Sequence, residues 1–219
     1  MPGLSAAQQA YHPARRRMVE EQLRPEITDE RVLAAMAKIP RHQFVEEGLW
    51  NQAYSDRPLS IGDGQTISQP RIVAAMTQAL RLTGTEKVLE IGTGCGYQTA
   101  VLCELAAHVH SIERITRLSN RARRNLYELG YMKFSLRIGD GTIGWPEAAP
   151  FDAIIVTAGG PTVPPSLREQ LAVGGRLLIP VGDEDTQSLL QITRRDATTY
   201  DETRLAGCRF VKLIGEQGW

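Results

Sequence analysis

Three glycines at alternate positions are the clearest sign of chemistry in this sequence. The stretch VLEIGTGCGY (88–97) joins four residues typical of a short buried strand, with an acid near its end, to a turn containing Gly92, Gly94 and Gly96. Glycine lets the backbone turn tightly and brings its N–H groups close to a ligand. Because a helical pattern follows, the turn predicts a nucleotide-type site at the carboxyl edge of an α/β sheet.

The spacing of these glycines narrows the type of ligand. In the dinucleotide pattern G-x-G-x-x-G, a third glycine would fall at position 97, which is Tyr97. No P-loop lysine follows the turn, so triphosphate binding is disfavoured. The order acid, apolar, G-x-G-x-G resembles motif I of the S-adenosylmethionine-dependent methyltransferases with a Rossmann-like fold. A glycine-rich turn without a ligand is the alternative.

Two acids follow the next two predicted strands. Glu113 lies roughly 20 residues beyond the glycines, where a carboxylate accepts hydrogen bonds from ribose hydroxyls in nucleotide-binding βαβ units. A solvated acid at the strand end is the simpler alternative for Glu113. Asp140, after the third strand, is expected near an adenine, where it could accept from the exocyclic amine. With the glycines, both acids predict one adenosine ligand, and adenosine carrying a sulfonium is S-adenosylmethionine.

Hydroxyl side chains precede the glycine turn in the segment LSIGDGQTISQP (59–70). Thr66 and Ser68 could donate hydrogen bonds that orient a substrate oxygen. A carboxylate substrate, with a pKa of ~4, is already ionised at neutral pH and needs no catalytic base. Sequence physics alone favours a simpler role for both residues, which is to cap the helix that Pro70 opens.

Other signals restrict the nucleophile. The segment TAGGP (157–161), after the fourth predicted strand, lacks the Asn/Asp-Pro-Pro-aromatic motif of many methyltransferases that act on amide or base nitrogens. None of the four histidines lies at the end of a strand that carries the ligand set. His42, after a helix-ending Pro-Arg, is interpreted as a packed or exposed histidine rather than as a base.

Alternating strands and helices must position these residues. The pattern predicts an α/β fold with a mainly parallel seven-stranded sheet, helices on both of its faces and a helical N-terminal appendage. Strands are predicted at 88–91, 108–113, 134–138, 151–157, 176–181, 188–193 and 208–214. Helices are predicted at 14–23, from the N-cap Thr28 to Pro40, and at 70–80, 99–107, 116–129 and 165–171.

The chain is expected to form one compact unit with three parts. Residues 1–13 are predicted to be a flexible tail, 14–82 a helical N-terminal segment with a substrate loop, and 83–219 a Rossmann-like methyltransferase domain. Lys and Arg number 25, as do Asp and Glu, so the charge pattern excludes an electrostatic footprint for nucleic acid or an anionic membrane. The three cysteines lack metal-site or disulfide spacing, which favours a reduced cytoplasmic setting without a metal. A monomer is expected.

Longer segments resemble one methyltransferase family, the protein-L-isoaspartate O-methyltransferases. They span roughly residues 15–215 in the order TDERVLAAMAKIPRHQFV, LSIGDGQTISQPRIVAAMT, VLEIGTGCGYQTAVL, FDAIIVTAG, GGRLLIPVG and RFVKLIG. The resemblance implies methyl transfer from S-adenosyl-L-methionine to the free α-carboxyl of L-isoaspartyl residues, leaving S-adenosyl-L-homocysteine. The ester then collapses to a succinimide, which begins repair. The implied partners are isoaspartyl-containing proteins and peptides.

The family's functional positions map onto this sequence through these motifs. Ser68, in TISQP, matches the active-site serine, which favours a catalytic role over capping, and Thr66 and Ile67 match residues that line the substrate and cofactor region. The implied cofactor contacts are Gly92, Gly94, Cys95, Gly96, Glu113, Arg114, Asp140 and Gly141.

Three positions depart from the family pattern. Cys95 stands where the family usually has serine, and a thiol is a weaker hydrogen-bond donor. Gly160 replaces a usual alanine, and Lys212 replaces a proline near the C-terminus. These departures concern cofactor affinity and the C-terminal segment rather than the class of reaction. The competing hypotheses are a methyltransferase of the same fold for a small-molecule oxygen or nitrogen, and a non-catalytic adenosine-binding module.

Overall fold

The computed structural model describes residues 10–219, in which one large sheet organises the chain. In chain order the strands are β1 (Leu59–Gly62), β2 (Gln65–Ile67), β3 (Lys87–Ile91), β4 (His108–Glu113), β5 (Phe134–Ile138), β6 (Phe151–Val156), β7 (Leu171–Gly182), β8 (Gln187–Arg194) and β9 (Tyr200–Cys208). The α-helices are α1 (His12–Arg17), α2 (Glu30–Lys38), α3 (Pro70–Leu80), α4 (Tyr97–Leu105), α5 (Thr116–Glu128) and α6 (Pro165–Glu169).

Seven strands form the large sheet in the order β5-β4-β3-β6-β7-β8-β9. The five strands from β5 to β7 are parallel, whereas β8 is antiparallel to β7 and β9 is antiparallel to β8. The chain runs outward from β3 through β4 to β5 and then returns to place β6 on the other side of β3. This reversal of strand order opens a crevice at the carboxyl ends of β3 and β6. The predicted seven-stranded, mainly parallel sheet is confirmed.

Both faces of the sheet are covered, because successive side chains of a strand point to opposite faces. On β3, Val88 joins the hydrophobic cluster that contains the N-terminal helices, whereas Leu89 joins a second cluster with Leu167 of α6. On β6, Ala153 and Ile154 divide between the two clusters in the same way. The central strands are therefore apolar almost throughout and hold the crevice between two packed layers.

The N-terminal part packs on the first of these clusters. After α1 the chain makes a π-helical segment (Met18–Leu23), then α2, and then two 3₁₀ segments (Arg41–Phe44 and Glu47–Gln52). The N-terminal part is mainly helical, and the segment predicted as a substrate loop contains β1 and β2, which form an antiparallel hairpin. These strands are too short to show the alternation of buried and exposed side chains that would reveal them in the sequence. At the tip of the hairpin, Gly62, Asp63 and Gly64 have left-handed backbone conformations.

The flexible tail predicted for 1–13 overlaps the described part of the chain only at its end. Residues 1–9 lie outside the described residues. Tyr11 stacks on His42 with 4.6 Å between ring centroids, and α1 begins at His12. The first helix of the described residues therefore starts earlier than predicted, and an aromatic side chain next to it packs on the N-terminal part.

Several element boundaries also differ from the predictions: β7 begins at Leu171 rather than at 176, α4 begins at Tyr97 rather than at 99, and α6 ends at Glu169 rather than at 171. Asp29, not Thr28, caps α2 and accepts from the Arg31 N–H, while Thr28 bonds Gln78. The last strand is β9 rather than 208–214. Strand β9 is polar and mostly exposed, so it shows no apolar pattern. The apolar residues after it have a different role, described below.

No helix in the described part of the chain is long and apolar enough to span a membrane.

Candidate active site

The glycine turn connects β3 to α4 at the crevice between strands. Gly92, Gly94 and Gly96 all have positive φ angles, of 94°, 55° and 92°, a region that side-chain-bearing residues rarely occupy. A Cβ atom at position 92 would also overlap the hydroxyl of Thr157, which follows β6. The turn therefore needs glycine both for its conformation and for its close approach to the neighbouring strand end.

Glu113, at the end of β4, stabilises this turn through hydrogen bonds. Its Oε2 accepts from the Gly94 N–H at 2.8 Å and its Oε1 accepts from the Ile115 N–H at 2.9 Å. Each carboxylate oxygen has two lone pairs, so both retain capacity for ribose hydroxyls. The interpretation of Glu113 as a solvated strand-end acid is wrong, because the side chain is buried.

A cleft, here called the glycine cleft, opens between the glycine turn and Glu113. It is lined by Gly92, Gly94, Glu113, Arg114 and Gly141 from the strand ends and by Gln65, Thr66, Ile91, Ile112, Thr157, Ala158, Val211, Leu213 and Ile214 around them. Its floor is the point where the strand order reverses, which is where open α/β sheets bind nucleotide-type ligands.

A second cleft, here called the outer cleft, has a volume of about 290 Å³ and lies against the hydroxyl-bearing loop. It is lined by Pro58, Thr66, Ser68, Gln69, Ile72, Thr157 and the segment 207–211. A smaller inner pocket behind it is lined by Ile67, Ser68, Cys95, Tyr97 and nine further residues. Thr66 and Thr157 line all three spaces, so these spaces meet at the two threonines.

Thr157 is a site residue that sequence reasoning missed. Its hydroxyl oxygen lies 3.0 Å from the Ile91 carbonyl oxygen and 2.8 Å from the Gly92 carbonyl oxygen, so the hydroxyl can donate to either. It therefore ties the end of β6 to the start of the glycine turn. The available signal was its place directly after a buried strand, but only the strand order shows that this strand is the neighbour of β3.

The structure does not support capping of α3 by Thr66 or Ser68. The N-cap of α3 is Gln69, and no side chain caps the helix there. Thr66 is exposed and Ser68 is half-buried, and each lines two or more of the spaces described above. Their hydroxyls are thus placed for contact with a ligand.

Asp140 lies beside the glycine cleft rather than in its lining. Its Oδ1 accepts from the Thr142 N–H and hydroxyl, and its Oδ2 accepts from the Glu216 N–H at 2.7 Å. Partial burial raises the pKa of Asp140, but these hydrogen bonds outweigh it and the pKa lies below its ordinary value. Asp140 thus holds the C-terminal segment against the cleft, and its contact with an adenine stays a prediction.

A second buried acid lies beneath the turn. Glu90 is fully buried, and its Oε2 accepts from the hydroxyls of Thr99 at 2.5 Å and Ser111 at 2.6 Å. Ser111 in turn shares a hydrogen bond with Thr93 of the glycine turn. Burial raises the pKa of Glu90 to about 8, and the charge of Glu113 adds to this effect. Glu90 is therefore a neutral acid at pH 7 that supports the turn from below.

Comparison with known proteins identifies the family. Residues 14–218 match the family Protein-L-isoaspartate(D-aspartate) O-methyltransferase (PCMT). The chain belongs to the PCMT family.

Curated relatives agree over nearly the whole chain. A protein-L-isoaspartate O-methyltransferase from Syntrophus aciditrophicus is 58% identical over 212 residues, covering 95% of this chain and 97% of that protein. One from Geobacter metallireducens is 57% identical over 207 residues, covering 94% of this chain and 96% of that protein.

Solved structures share the fold. A protein-L-isoaspartate O-methyltransferase with 27% identity gives a TM-score of 0.83 over 96% of this chain and 67% of that chain. A PCMT structure from Plasmodium falciparum, in complex with S-adenosyl-L-homocysteine, has 25% identity and a TM-score of 0.77, covering 94% of this chain and 97% of that chain.

The remaining residues that the PCMT resemblance implies lie around the turn in different ways. Gly141 and Arg114 line the glycine cleft, whereas Ile67 and Cys95 are buried beside the inner pocket. Burial raises the pKa of the Cys95 thiol, so it remains protonated. Gly96 packs on α5 instead of lining a cleft, and its role is to start α4.

One departure from the PCMT pattern, Lys212, lies in a C-terminal segment that covers the glycine cleft. Lys212 forms an ion pair with Glu184 at 2.6 Å, and its ammonium lies 5.5 Å from the centre of the Trp219 ring. The Trp219 indole N–H donates to the Gly159 carbonyl oxygen at 2.9 Å. This segment is apolar because Val211 and its neighbours close the cleft, which explains why it resembled a strand.

We expect Glu113→Gln to weaken binding of S-adenosyl-L-homocysteine by about tenfold or more. The change removes the charged acceptor of the Gly94 N–H, which is also the acceptor predicted for the ribose hydroxyls. Isothermal titration calorimetry measures the affinity. Glu86→Gln is the matched control, since Glu86 also accepts from several backbone N–H groups, at positions 83–85, but outside both clefts. Equal losses of affinity in the two variants would contradict the role of Glu113.

We expect Glu90→Gln to gain stability relative to the unmodified protein as pH rises from about 5 to 8. The unfolded carboxyl ionises near its ordinary pKa, whereas the folded one stays protonated until about pH 8, so folding becomes costlier over this range. A neutral amide removes this cost and still accepts from Thr99 and Ser111. Thermal melts at several pH values measure the difference, and exposed Glu128→Gln is the control. A difference that does not change with pH would contradict the neutral state of Glu90.

Proposed function

We propose that the protein transfers the methyl group of S-adenosyl-L-methionine to the free α-carboxyl of L-isoaspartyl residues in damaged proteins and peptides. The observation that carries this proposal is the meeting of the glycine cleft and the outer cleft at Thr66 and Thr157, in a member of the PCMT family. A cofactor and a separate polymer substrate can then approach one point from two sides.

The glycine cleft fits this cofactor. Glu113 offers acceptors for ribose hydroxyls, the glycine turn allows close approach of the backbone, and Leu213 and Ile214 provide an apolar wall. The Plasmodium falciparum relative, which binds S-adenosyl-L-homocysteine, supports the same ligand for this chain. S-adenosylmethionine supplies an activated methyl group on a sulfonium, so the protein itself contributes no electrophile.

The residues around the outer cleft have to orient the nucleophile. An α-carboxyl group with a pKa of ~4 is ionised at neutral pH, so no side chain has to remove a proton. The hydroxyls of Ser68 and Thr66 can donate to one carboxylate oxygen and leave the other free to attack in line. Holding the two reactants in line in a site protected from water is the main contribution of such an enzyme.

The histidines support a reaction without a catalytic base. His42 is buried, its Nδ1 lies 2.7 Å from the Tyr54 hydroxyl, and burial lowers the pKa of His42 to about 4. His108 bonds Ser135, and burial lowers the pKa of His110 to about 4 as well. None of these three lines the glycine cleft, the outer cleft or the inner pocket.

We also infer how the chain divides this work. Residues 14–82 supply the hydroxyl-bearing loop, and residues 83–219 supply the methyltransferase domain with the glycine cleft. A cytoplasmic setting is proposed because the three cysteines are free thiols, and a monomer is the proposed form.

An isoaspartyl peptide should accept labelled methyl groups, whereas the aspartyl peptide of the same sequence should not. Only the isoaspartyl residue has a free α-carboxyl, because its main chain continues through the side-chain CH2 and β-carbonyl. The measurement is transfer of labelled methyl from S-adenosyl-L-methionine to each peptide. Equal labelling of both peptides would contradict the proposed specificity. Labelling of small acids but neither peptide would favour a small-molecule methyltransferase, and cofactor binding without any transfer would favour a binding module.

Ser68→Ala should lower kcat on the isoaspartyl peptide by about 10²-fold, because small misplacement of a reacting oxygen is costly. Its affinity for S-adenosyl-L-homocysteine should stay within about threefold, since Ser68 does not line the glycine cleft. Ser60→Ala is the control: Ser60 is exposed on β1, in the hairpin that precedes Ser68, and lines neither cleft. Unchanged turnover in Ser68→Ala would remove the orienting role of this hydroxyl.

A further inference from the structure

Arg41 is a buried arginine next to the site, and nothing in the mechanism above uses it. The residue is fully buried, with a relative exposure of 0%. Its Nε donates to the Ala53 carbonyl oxygen at 2.8 Å, and its Nη2 donates to the Ser68 carbonyl oxygen at 2.7 Å. Its guanidinium carbon lies 4.7 Å from the centre of the Tyr97 ring. One planar group thus contacts three separate segments of the chain.

Stability does not account for an arginine at this position. Among residues 10–219, no ion pair joins Arg41 to a carboxylate, and burial lowers the pKa of its guanidinium. Its Nη1 is buried without a hydrogen-bond partner in this part of the chain. A buried charge and an unsatisfied donor both cost free energy of folding. An apolar residue of similar volume would avoid both costs but would leave the Ala53 and Ser68 carbonyl oxygens without this donor. What the guanidinium provides is therefore its hold on these two carbonyl groups.

The three contacts of Arg41 link the hydroxyl-bearing loop, on the substrate side, to the glycine turn, on the cofactor side. Ser68 carries the hydroxyl that orients the substrate, and Tyr97 is the first residue of α4, directly after the glycine turn. Both residues line the inner pocket, on whose other side lies Gly94. Ala53 belongs to the N-terminal part, against which the hydroxyl-bearing loop rests. The guanidinium therefore spans from the substrate loop to the end of the turn that holds the cofactor.

We propose that Arg41 is a positioning residue for methyl transfer, which sets the distance between Ser68 and the glycine turn. This inference rests on the proposed function. The guanidinium suits the role because its N–H groups lie in one rigid plane, so two carbonyl oxygens and an aromatic face are held in one geometry. Lysine keeps the charge but concentrates it on a single nitrogen at the end of a flexible stem. It can reach a carbonyl oxygen without fixing the loop relative to Tyr97.

A double-mutant cycle tests this role. Arg41→Lys should lower kcat by about tenfold or more, while affinity for S-adenosyl-L-homocysteine stays within about threefold, since the group acts on the loop and not on the glycine cleft. In the Ser68→Ala background the same change should have almost no further effect on kcat, because Arg41 acts through the oriented hydroxyl. Additive losses would show that Arg41 acts elsewhere and would overturn the proposal.

Arg31→Lys is the matched control for this cycle. Arg31 also donates to two carbonyl oxygens, of Leu82 and Leu105, and it joins the N-terminal part to the sheet domain away from both clefts. The kcat of the Arg31→Lys variant should stay within about twofold of the kcat of the unmodified protein. A loss equal to that of Arg41→Lys would show a general packing effect and would count against the proposal.

Hydrogen exchange separates this proposal from the proposed function. In Arg41→Lys, the backbone amides of residues 66–69 should exchange faster than in the unmodified protein, while those of β3 stay unchanged. This exchange measurement needs no substrate. If isoaspartyl peptides prove not to be substrates, that result contradicts the proposed function but leaves the positioning role of Arg41 testable. Faster exchange throughout the chain, or a variant that fails to fold or bind S-adenosyl-L-homocysteine, would assign Arg41 to the fold as a whole and overturn the proposal.

Discussion

The hydrogen bond from the Gly94 N–H to the Glu113 carboxylate holds the candidate site together. It joins the ends of β3 and β4, which are neighbours in the sheet, and it fixes a turn whose conformation only glycine adopts readily. A charged acceptor makes this bond stronger than one between neutral groups. The hydroxyl of Thr157 closes the other side of the turn, so both neighbours of β3 contribute to its geometry.

Two carboxyl groups near this turn have opposite environments and therefore opposite roles. Glu113 accepts hydrogen bonds at the edge of the cleft, where a ligand can reach it. Glu90 lies on the neighbouring strand β3, where it is fully buried, and burial raises its pKa to about 8. A neutral acid there can accept from two hydroxyls without placing a second negative charge near Glu113. The environment of each group, and not its residue type, decides which acid can meet the ligand.

The outer cleft depends on segments far apart in the chain. Its hydroxyls come from Thr66 on β2 and Ser68 in the loop after it, and its opposite wall comes from residues 207–211 at the end of β9. The last residues then cross the glycine cleft and are held by Asp140 and Gly159. Arg41 connects the hydroxyl loop to the far side of the glycine turn. The distance between substrate and cofactor is thus set by contacts between the two ends of the chain and its centre.

Local patterns in the sequence were sufficient for much of this protein. The alternate glycines, the acid about 20 residues later and the apolar runs of β3 and β6 determine a parallel sheet with a nucleotide-type site, since these signals act over one βαβ unit. The motif around TISQP, through its resemblance to the PCMT family, added the role of Ser68. By itself, the composition of that loop favoured capping, because hydroxyl residues before a helix most often cap it.

Tertiary structure decided the features that depend on distant partners. The polar strand β9 pairs with β8 but shows no apolar period, and the apolar residues after it cover a cleft instead of joining the sheet. Thr157 became a site residue because β6 lies beside β3, an arrangement that the local pattern of either strand does not encode. The same holds for Arg41, whose carbonyl and aromatic partners lie up to 56 positions along the chain. Such roles arise from packing between segments, so a single stretch of sequence carries no sign of them.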